Sequence, residues 1–176
     1  GRSLEIGDRI ALNSTGRSDR AANVRISPSL LPRYSQFPTL RITVGAEYDM
    51  LDPKSRETLL GERFVVTGDS DRMGFRMDGS PLSITAPLEL LSTAVNYGTI
   101  QLLPSGQIVV LMADHQTTGG YPRLAHVIET DLPVLAQLGS GDGIAFELVE
   151  QAEAEGLREA FEREVSRFRT ACIYGL

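Results

Sequence analysis

GTIQLLPSGQIVVLMADHQTTGGYPRLAHVIE, from Gly98 to Glu129, holds three short apolar runs and one dense polar interruption. GTIQLL (98–103) and QIVVLMA (107–113) flank Pro104-Ser105-Gly106, the signature of two strands joined by a hairpin. LAHVIE (124–129) reads as another strand. None of these runs has the 3.6-residue period of a helix, and no helical segment separates them. A parallel sheet of strand–helix–strand units therefore does not fit. Between the second and third runs stand an acid, a histidine, an amide, two threonines and two glycines, followed by Tyr121-Pro122.

The pattern continues outward. LRITV (40–44), RFVVTG (63–68) and GIAFELV (143–149) read as strands, and residues 69–98 alternate short extended pieces with Gly and Pro. LDPKSRETLLG carries a helix signature: Asp52 as N-cap, Pro53 at the first helical position and Gly61 past the end. TDLPVLAQLG (130–139) is expected to form a short capped helix. Residues 150–169 form an amphipathic helix with Leu157, Phe161, Val165 and Phe168 on one stripe. Residues 13–39, rich in Ser, Pro, Asn and Arg, look like a linker or irregular arm with a short strand near Val24–Ile26. Leu4 to Leu12 reads as a Gly7-Asp8 turn feeding a strand through Ile10 and Leu12. Its spacing, Leu4-x-x-Gly7-Asp8-x-Ile10-Ala11-Leu12, returns as Leu138-x-x-Gly141-Asp142-x-Ile144-Ala145-Phe146. The echo is either a recurring way to start a strand or the trace of two barrel-like units. Short strands with frequent turns predict a mainly β chain, a barrel or sandwich with short peripheral helices. The domain reading is 1–39 as the end of a preceding subdomain plus linker, 40–150 as the barrel, and 151–176 as a C-terminal helix and tail.

Composition narrows the function. The 176 residues are 41% hydrophobic, contain no tryptophan and carry a formal charge of −6. There is no basic tract, which argues against nucleic acid. No apolar run approaches the roughly 18 residues that cross a membrane, none reads as a signal peptide, and the expected location is the cytoplasm. The single cysteine, Cys172, excludes an internal disulfide, and one Cys with two His argues against structural zinc. The opening Gly1-Arg2-Ser3, without methionine, is what a fragment or processed product would show. No P-loop and no G-x-S-x-G elbow occurs, and GSGDG (139–143) leads into a strand, so it cannot set a phosphate on a helix N-terminus.

Two constellations remain. The first is Asp114 to Tyr121. Asp114 sits where a strand ends, His115, Gln116, Thr117 and Thr118 supply donors and acceptors, Gly119-Gly120 permits positive φ and an anion-binding nest, and Tyr121 adds an amphipathic wall. The alternative is a glycine turn whose Asp and Thr satisfy their own backbone. The second is GDSDRMGFRMDG (68–79), where Asp69, Asp71 and Asp78 alternate with Arg72 and Arg76. An arginine fork there recognises carboxylate or phosphate, or the loop carries ordinary surface ion pairs. His126 follows the alternation of its strand and reads as structural. Both loops flank strands of one barrel and are expected to face one pocket, with Asp114 partly buried and accepting the Thr-Gly backbone N–H groups.

Together these constellations resemble the family variously called KipA, allophanate hydrolase subunit 2 or PxpC, the C-subunit of bacterial 5-oxoprolinase, and also the carboxyltransferase domain of urea carboxylase. The family's S-D-R-M-G-x-R is met by Ser70, Asp71, Arg72, Met73, Gly74 and Arg76, and its G-x-I-Q by Gly98, Ile100 and Gln101. Its A-D-R-Q-T-T-G-G-Y-P is met by Ala113 to Pro122, and its D-L-x-x-L-A-Q-L-x-x-G-D by Asp131 to Asp142. The likeness spans residues 40–149, with GRSLEIGDRIAL resembling the preceding segment. His115 stands where the family has Arg, Thr93 where it has Glu, and Leu103 and Ile108 where it has prolines. The exchange at 115 removes a fixed positive charge, since histidine is mostly neutral near pH 7.

What the resemblance implies is a cyclophilin-like β-barrel, a fold that does not itself imply prolyl isomerase activity. It also implies a place in a heteromeric, ATP-dependent hydrolase that opens 5-oxo-L-proline to L-glutamate, beside a KipI-type (PxpB) and a LamB/YcsF-type (PxpA) subunit. Two other readings are a biotin-dependent carboxyltransferase acting on a urea-like amide and a non-enzymatic antagonist of KipI. Candidate catalytic residues are Asp114, Gln116, Thr117 and Thr118. Candidate substrate-binding residues are Arg72, Gln101, His115, Gly119, Gly120 and Tyr121. No metal is expected, ATP acts only at the level of the complex, and biotin enters only in the carboxyltransferase reading.

Overall fold

A computed structural model describes residues 4–11, 31–86 and 90–174. The chain divides into two units, Gly1–Leu31 and Pro32–Leu176. In the first, Asp8 N–H donates to Glu5 O (3.1 Å), the Asp8 carboxylate accepts Glu5 N–H (2.9 Å), and Gly7 has φ +101°. In the second, Asp142 N–H donates to Gly139 O (3.0 Å), the Asp142 carboxylate accepts Gly139 N–H (2.8 Å), and Gly141 has φ +94°. The echo in sequence is thus one recipe for a turn: an Asp closes it twice, and a glycine takes the left-handed position. A strand follows the second turn. None forms over residues 8–11, because no neighbouring strand pairs there among the described residues. Leu12 and the strand expected near Val24–Ile26 lie outside the described residues.

The second unit runs β1 (Thr39–Val44), α1 (Pro53–Gly61), β2 (Phe64–Val66), β3 (Gly74–Asp78), β4 (Thr93–Ala94), β5 (Thr99–Leu102), β6 (Ile108–Leu111), β7 (Thr118–Gly119), β8 (Arg123–Val127), α2 (Leu132–Leu135), β9 (Gly143–Leu148) and α3 (Gln151–Tyr174). Seven strands close a barrel in the order β1-β8-β5-β6-β3-β2-β9. All neighbours pair antiparallel except β9, which lies parallel to β1 and completes the ring. β4 and β7 form a separate two-stranded ribbon. Of the barrel or sandwich expected from the apolar runs, the barrel that the family resemblance implies is the observed architecture, and its one parallel contact is a closure that no single strand announces.

Alternation decides which side chains point inward. Leu40 and Ile42 of β1, Ile144 and Phe146 of β9, and Val110 of β6 are buried in one core, where the Phe64 and Phe146 rings lie 5.8 Å apart. Each fully buried Leu or Ile contributes about 1.5–3 kcal/mol through loss of contact with water. Asp52 caps α1 by accepting Ser55 N–H at 2.7 Å, as its sequence dictates, with Pro53 at N1 and Gly61 as the last helical residue. The helix expected over 130–139 shrinks to a 3-10 turn at Glu129–Asp131 and the four residues of α2, with no side-chain cap. Asp131 instead accepts Arg41 N–H (2.8 Å) and Arg41 Nε–H (3.0 Å), which ties the turn to β1. The amphipathic C-terminal helix forms and runs on to Tyr174; none of its residues is fully buried.

Candidate functional site

The connection from β2 to β3 folds on its own polar side chains. Ser70 Oγ accepts Arg76 N–H (3.0 Å) and donates to Arg76 O (3.2 Å), while Thr67 N–H donates to the same carbonyl (2.9 Å). Asp71 Oδ1 accepts both Met73 N–H (2.8 Å) and Gly74 N–H (3.2 Å). Asp71 is therefore the brace of this loop, a local side-chain-to-backbone arrangement that holds the backbone in one shape.

The β3–β6 pairing then extends past the end of β6, with Met112 N–H on Met73 O and Asp114 N–H on Arg72 O, both at 3.0 Å. This continuation brings the two polar constellations together, as expected. They contribute to one groove of about 280 Å³. Asp69, Asp71 and Arg76 come from the arginine loop and β3, Gln116 and Tyr121 from the second constellation, and Gln101 from β5, over a floor that includes Val109 and Leu111. Gln101 is 2% exposed, and its Nε2 donates to Tyr121 O across 3.5 Å, the long limit of a hydrogen bond. A second, wider cleft of about 950 Å³ shares Tyr121 and Leu103 with the groove and is lined by apolar side chains such as Leu82, Leu91 and Leu102.

The other expected site residues are placed differently. Arg72 Nε lies 3.0 Å from Asp114 Oδ2, with 84% and 56% of the two side chains exposed, and neither residue lines the groove. Asp114, expected to be partly buried and to accept the Thr-Gly backbone N–H groups, instead pairs with Arg72 at the surface. The cause is the turn at 113–114, whose backbone follows Arg72 and leaves the carboxylate outside the barrel. His115 Nδ1 faces Gln116 O at 2.6 Å. Thr117 O accepts Val95 N–H (3.2 Å), and Thr118 and Gly119 pair with Ala94 and Thr93 in the ribbon. Gly119 and Gly120 do not take the positive φ expected of them, and the N–H groups here do not form a nest. Gly119 is small for another reason: a Cβ there would lie 2.7 Å from Gln101 Nε2.

Two partly buried ion pairs, each with a buried carboxylate and a half-buried arginine, have no signature in the sequence. Glu47 accepts Arg123 N–H (2.8 Å), Nε–H (3.0 Å) and Nη2–H (2.9 Å), and Asp131 holds Arg41 in the same manner. The Arg123 guanidinium holds the Glu47 carboxyl below its ordinary range, against the opposing effect of burial. A pair 76 residues apart leaves no local signal. His126 is structural, as its place in the strand alternation indicates: Nδ1 lies 3.1 Å from Thr99 Oγ1, and burial pushes its pKa down. Among the described residues, no cluster of three or more His, Cys, Asp or Glu could hold a metal, and no helix is long and apolar enough to cross a membrane.

A closed barrel whose polar groove is fed by these two loops belongs to a known class. Residues 1–148 match the family described as carboxyltransferase domain, subdomain A and B, and the chain is a member of that family. It is 37% identical over 169 residues to the 5-oxoprolinase C-subunit of Haemophilus influenzae, covering 96% of this chain and 52% of that protein. It is 34% identical over 163 residues to the 5-oxoprolinase C-subunit of Escherichia coli, covering 93% of this chain and 51% of that protein. The chain thus spans about half the length of these relatives. In fold it is similar to the urea amidolyase of Kluyveromyces lactis, with TM-score 0.75 and 23% identity over 81% of this chain and 9% of that one.

Proposed function

We propose that this chain supplies the C-terminal part of a PxpC-type subunit in a bacterial 5-oxoprolinase complex, and that its groove holds the lactam of 5-oxo-L-proline. The groove's two primary amides carry the reading. A lactam presents its N–H and C=O side by side, and a glutamine amide presents a C=O and an NH₂ in the complementary order, so the two close a pair of hydrogen bonds. Gln101 and Gln116 stand at such a groove, and its volume of about 280 Å³ suits a five-membered ring rather than a large ligand. Opening the ring adds water across the C–N bond, leaving a carboxylate and an amine. We assign ATP elsewhere in the complex, because the groove's volume of about 280 Å³ is small for a nucleotide and Asp69 and Asp71 offset the one cation, Arg76, that lines it. Its use belongs to the KipI-type and LamB/YcsF-type subunits, with the cytoplasm as the site of assembly.

The family name favours one other reading, transfer of a carboxyl group to a urea-like amide. Biotin would then be carried outside these 176 residues, since Lys54 is their only lysine and does not follow a methionine. A direct test incubates the purified chain with ATP and 5-oxo-L-proline and, separately, titrates it with 5-oxo-L-proline and with urea by NMR. The expected result is no turnover, together with lactam binding tighter than urea binding. Robust turnover by the chain alone overturns the complex, and a preference for urea overturns the lactam.

A further inference from the structure

We propose that Arg76 is the specificity residue of the groove, taking a carboxylate on the ligand while Gln101 and Gln116 pair with its amide edge. The inference rests on the lactam reading above and deepens it: it distinguishes a lactam acid from a neutral lactam or a urea.

Arg76 is set apart by its place: among the described arginines without a carboxylate partner, such as Arg63 and Arg169, it is the one that lines the groove. Arg41, Arg56, Arg72 and Arg123 each have a carboxylate within 4.0 Å, on Asp131, Asp49, Asp114 and Glu47 respectively. Arg76 has no such partner among the described residues, and its hydrogen bonds run through its backbone to Ser70 and Thr67. A guanidinium with an open fork, on the wall of a polar groove, is ready for bidentate capture of a carboxylate. The side chain also starts from rigid ground. Arg76 lies opposite Val109 in the β3–β6 ladder, and Ser70 holds both its N–H and its C=O. A site carried on a strand keeps its geometry better than one carried on a loop.

The second point of the site is buried. Gln101 is almost fully removed from water, yet among the described residues its amide makes only the long contact to Tyr121 O. A buried amide with one weak bond keeps capacity for a stronger partner, which a lactam edge supplies. One feature opposes an anion: Asp69 and Asp71 also line the groove. Asp71 is partly neutralised by the Met73 and Gly74 N–H groups it accepts, whereas Asp69 has no such contacts among the described residues. Asp69 should therefore weaken carboxylate binding, and removing its charge should strengthen it.

Three probes separate the parts: 5-oxo-L-proline, with lactam and carboxylate; 2-pyrrolidinone, with the lactam alone; and urea. Each is titrated by NMR against the purified chain and its Arg76→Gln, Arg76→Lys, Asp69→Asn and Gln101→Leu variants, with a melting curve for each variant. The unaltered chain is expected to bind 5-oxo-L-proline about tenfold more tightly than 2-pyrrolidinone, the scale of one charge-assisted contact at an exposed arginine. Arg76→Gln should abolish that preference without changing 2-pyrrolidinone binding, Arg76→Lys should restore part of it, and Asp69→Asn should increase it. An intact preference in Arg76→Gln, with binding lost in a folded Gln101→Leu variant, overturns the role of Arg76 and leaves the lactam groove standing. Absence of binding by either lactam, or a preference for urea, overturns both.

Discussion

Gly119 and Gly120 are adjacent in sequence, yet only Gly119 should suffer from substitution by alanine. Neither has a positive φ, so alanine is conformationally acceptable at both, and the difference is steric. A Cβ at 120 would meet Leu90 O at 3.5 Å and Ser92 Oγ at 3.6 Å, ordinary van der Waals distances. A Cβ at 119 would lie 2.7 Å from Gln101 Nε2 and 3.5 Å from Val95 Cγ1. The amide would have to retreat by about 0.8 Å to reach normal contact. Because Gln101 is buried and its bond to Tyr121 O is already 3.5 Å long, that retreat breaks the bond or turns the amide. Gly119→Ala should cost about 1–2 kcal/mol, the lower part of the overpacking range. For a domain of this size the melting temperature should then fall by roughly 2–8 °C. Gly120→Ala should stay within about 0.5 kcal/mol of the unaltered chain. Binding of 5-oxo-L-proline should weaken about fivefold or more in the first variant and not in the second. Thermal melts and the same titrations measure both effects. In a Gln101→Ala background the penalty of Gly119→Ala should nearly vanish, since the clashing amide is gone. If both alanines behave alike, or the penalty persists without Gln101, the close approach is not what requires glycine at 119.

Glu47→Gln removes the charge from a largely buried ion pair and should cost roughly 3 kcal/mol at neutral pH, lowering the melting temperature by roughly 6–12 °C. Because Arg123 depresses the Glu47 carboxyl in the folded state, this contribution is complete above the unfolded value of 4.5 and is lost as pH falls through the lower folded value. The gap between chain and variant should therefore narrow in acid, and equal gaps at pH 7 and pH 3 would contradict the pairing. Asp114→Asn, which weakens an exposed pair with Arg72, should change stability by no more than about 1 kcal/mol and leave lactam binding by the chain intact. If turnover of the reconstituted complex falls about a hundredfold with binding unchanged, Asp114 is a base rather than a surface partner of Arg72.

The barrel was legible because its information is local. The alternation of Leu40 and Ile42, the turn between residues 103 and 107 and the cap at Asp52 each need only a few neighbouring residues to act, and each appears where the sequence places it. What the sequence could not show is what depends on distant partners. Asp131 looks like the start of a helix until Arg41, 90 residues away, captures its carboxylate. The parallel contact of β9 with β1 joins the two ends of the barrel. The Gly-Asp turn makes the same point from the other side: it forms twice around the same Gly-Asp pair, but residues 8–11 form no strand, whereas the second turn leads into β9, which has β2 and β1 to pair with.

The polar stretch after β6 shows why a motif can be legible while the work of its members is not. Hydrogen-bonding capacity is a property of each side chain, but the group that satisfies it is a property of the fold. Asp114 meets Arg72 because the β3–β6 ladder runs on past Leu111. Thr118 and Gly119 are drawn into a ribbon because β4 passes beside them. Gln116 and Tyr121 are left facing the groove, where Gln101 arrives from another strand and fits only because residue 119 has no side chain. Eight consecutive residues are thus divided among an ion pair, a ribbon and a cavity. The residue best placed to bind a carboxylate, Arg76, comes from β3, and its open guanidinium becomes evident only once the groove it lines is seen and its neighbour Arg72 is found paired with Asp114.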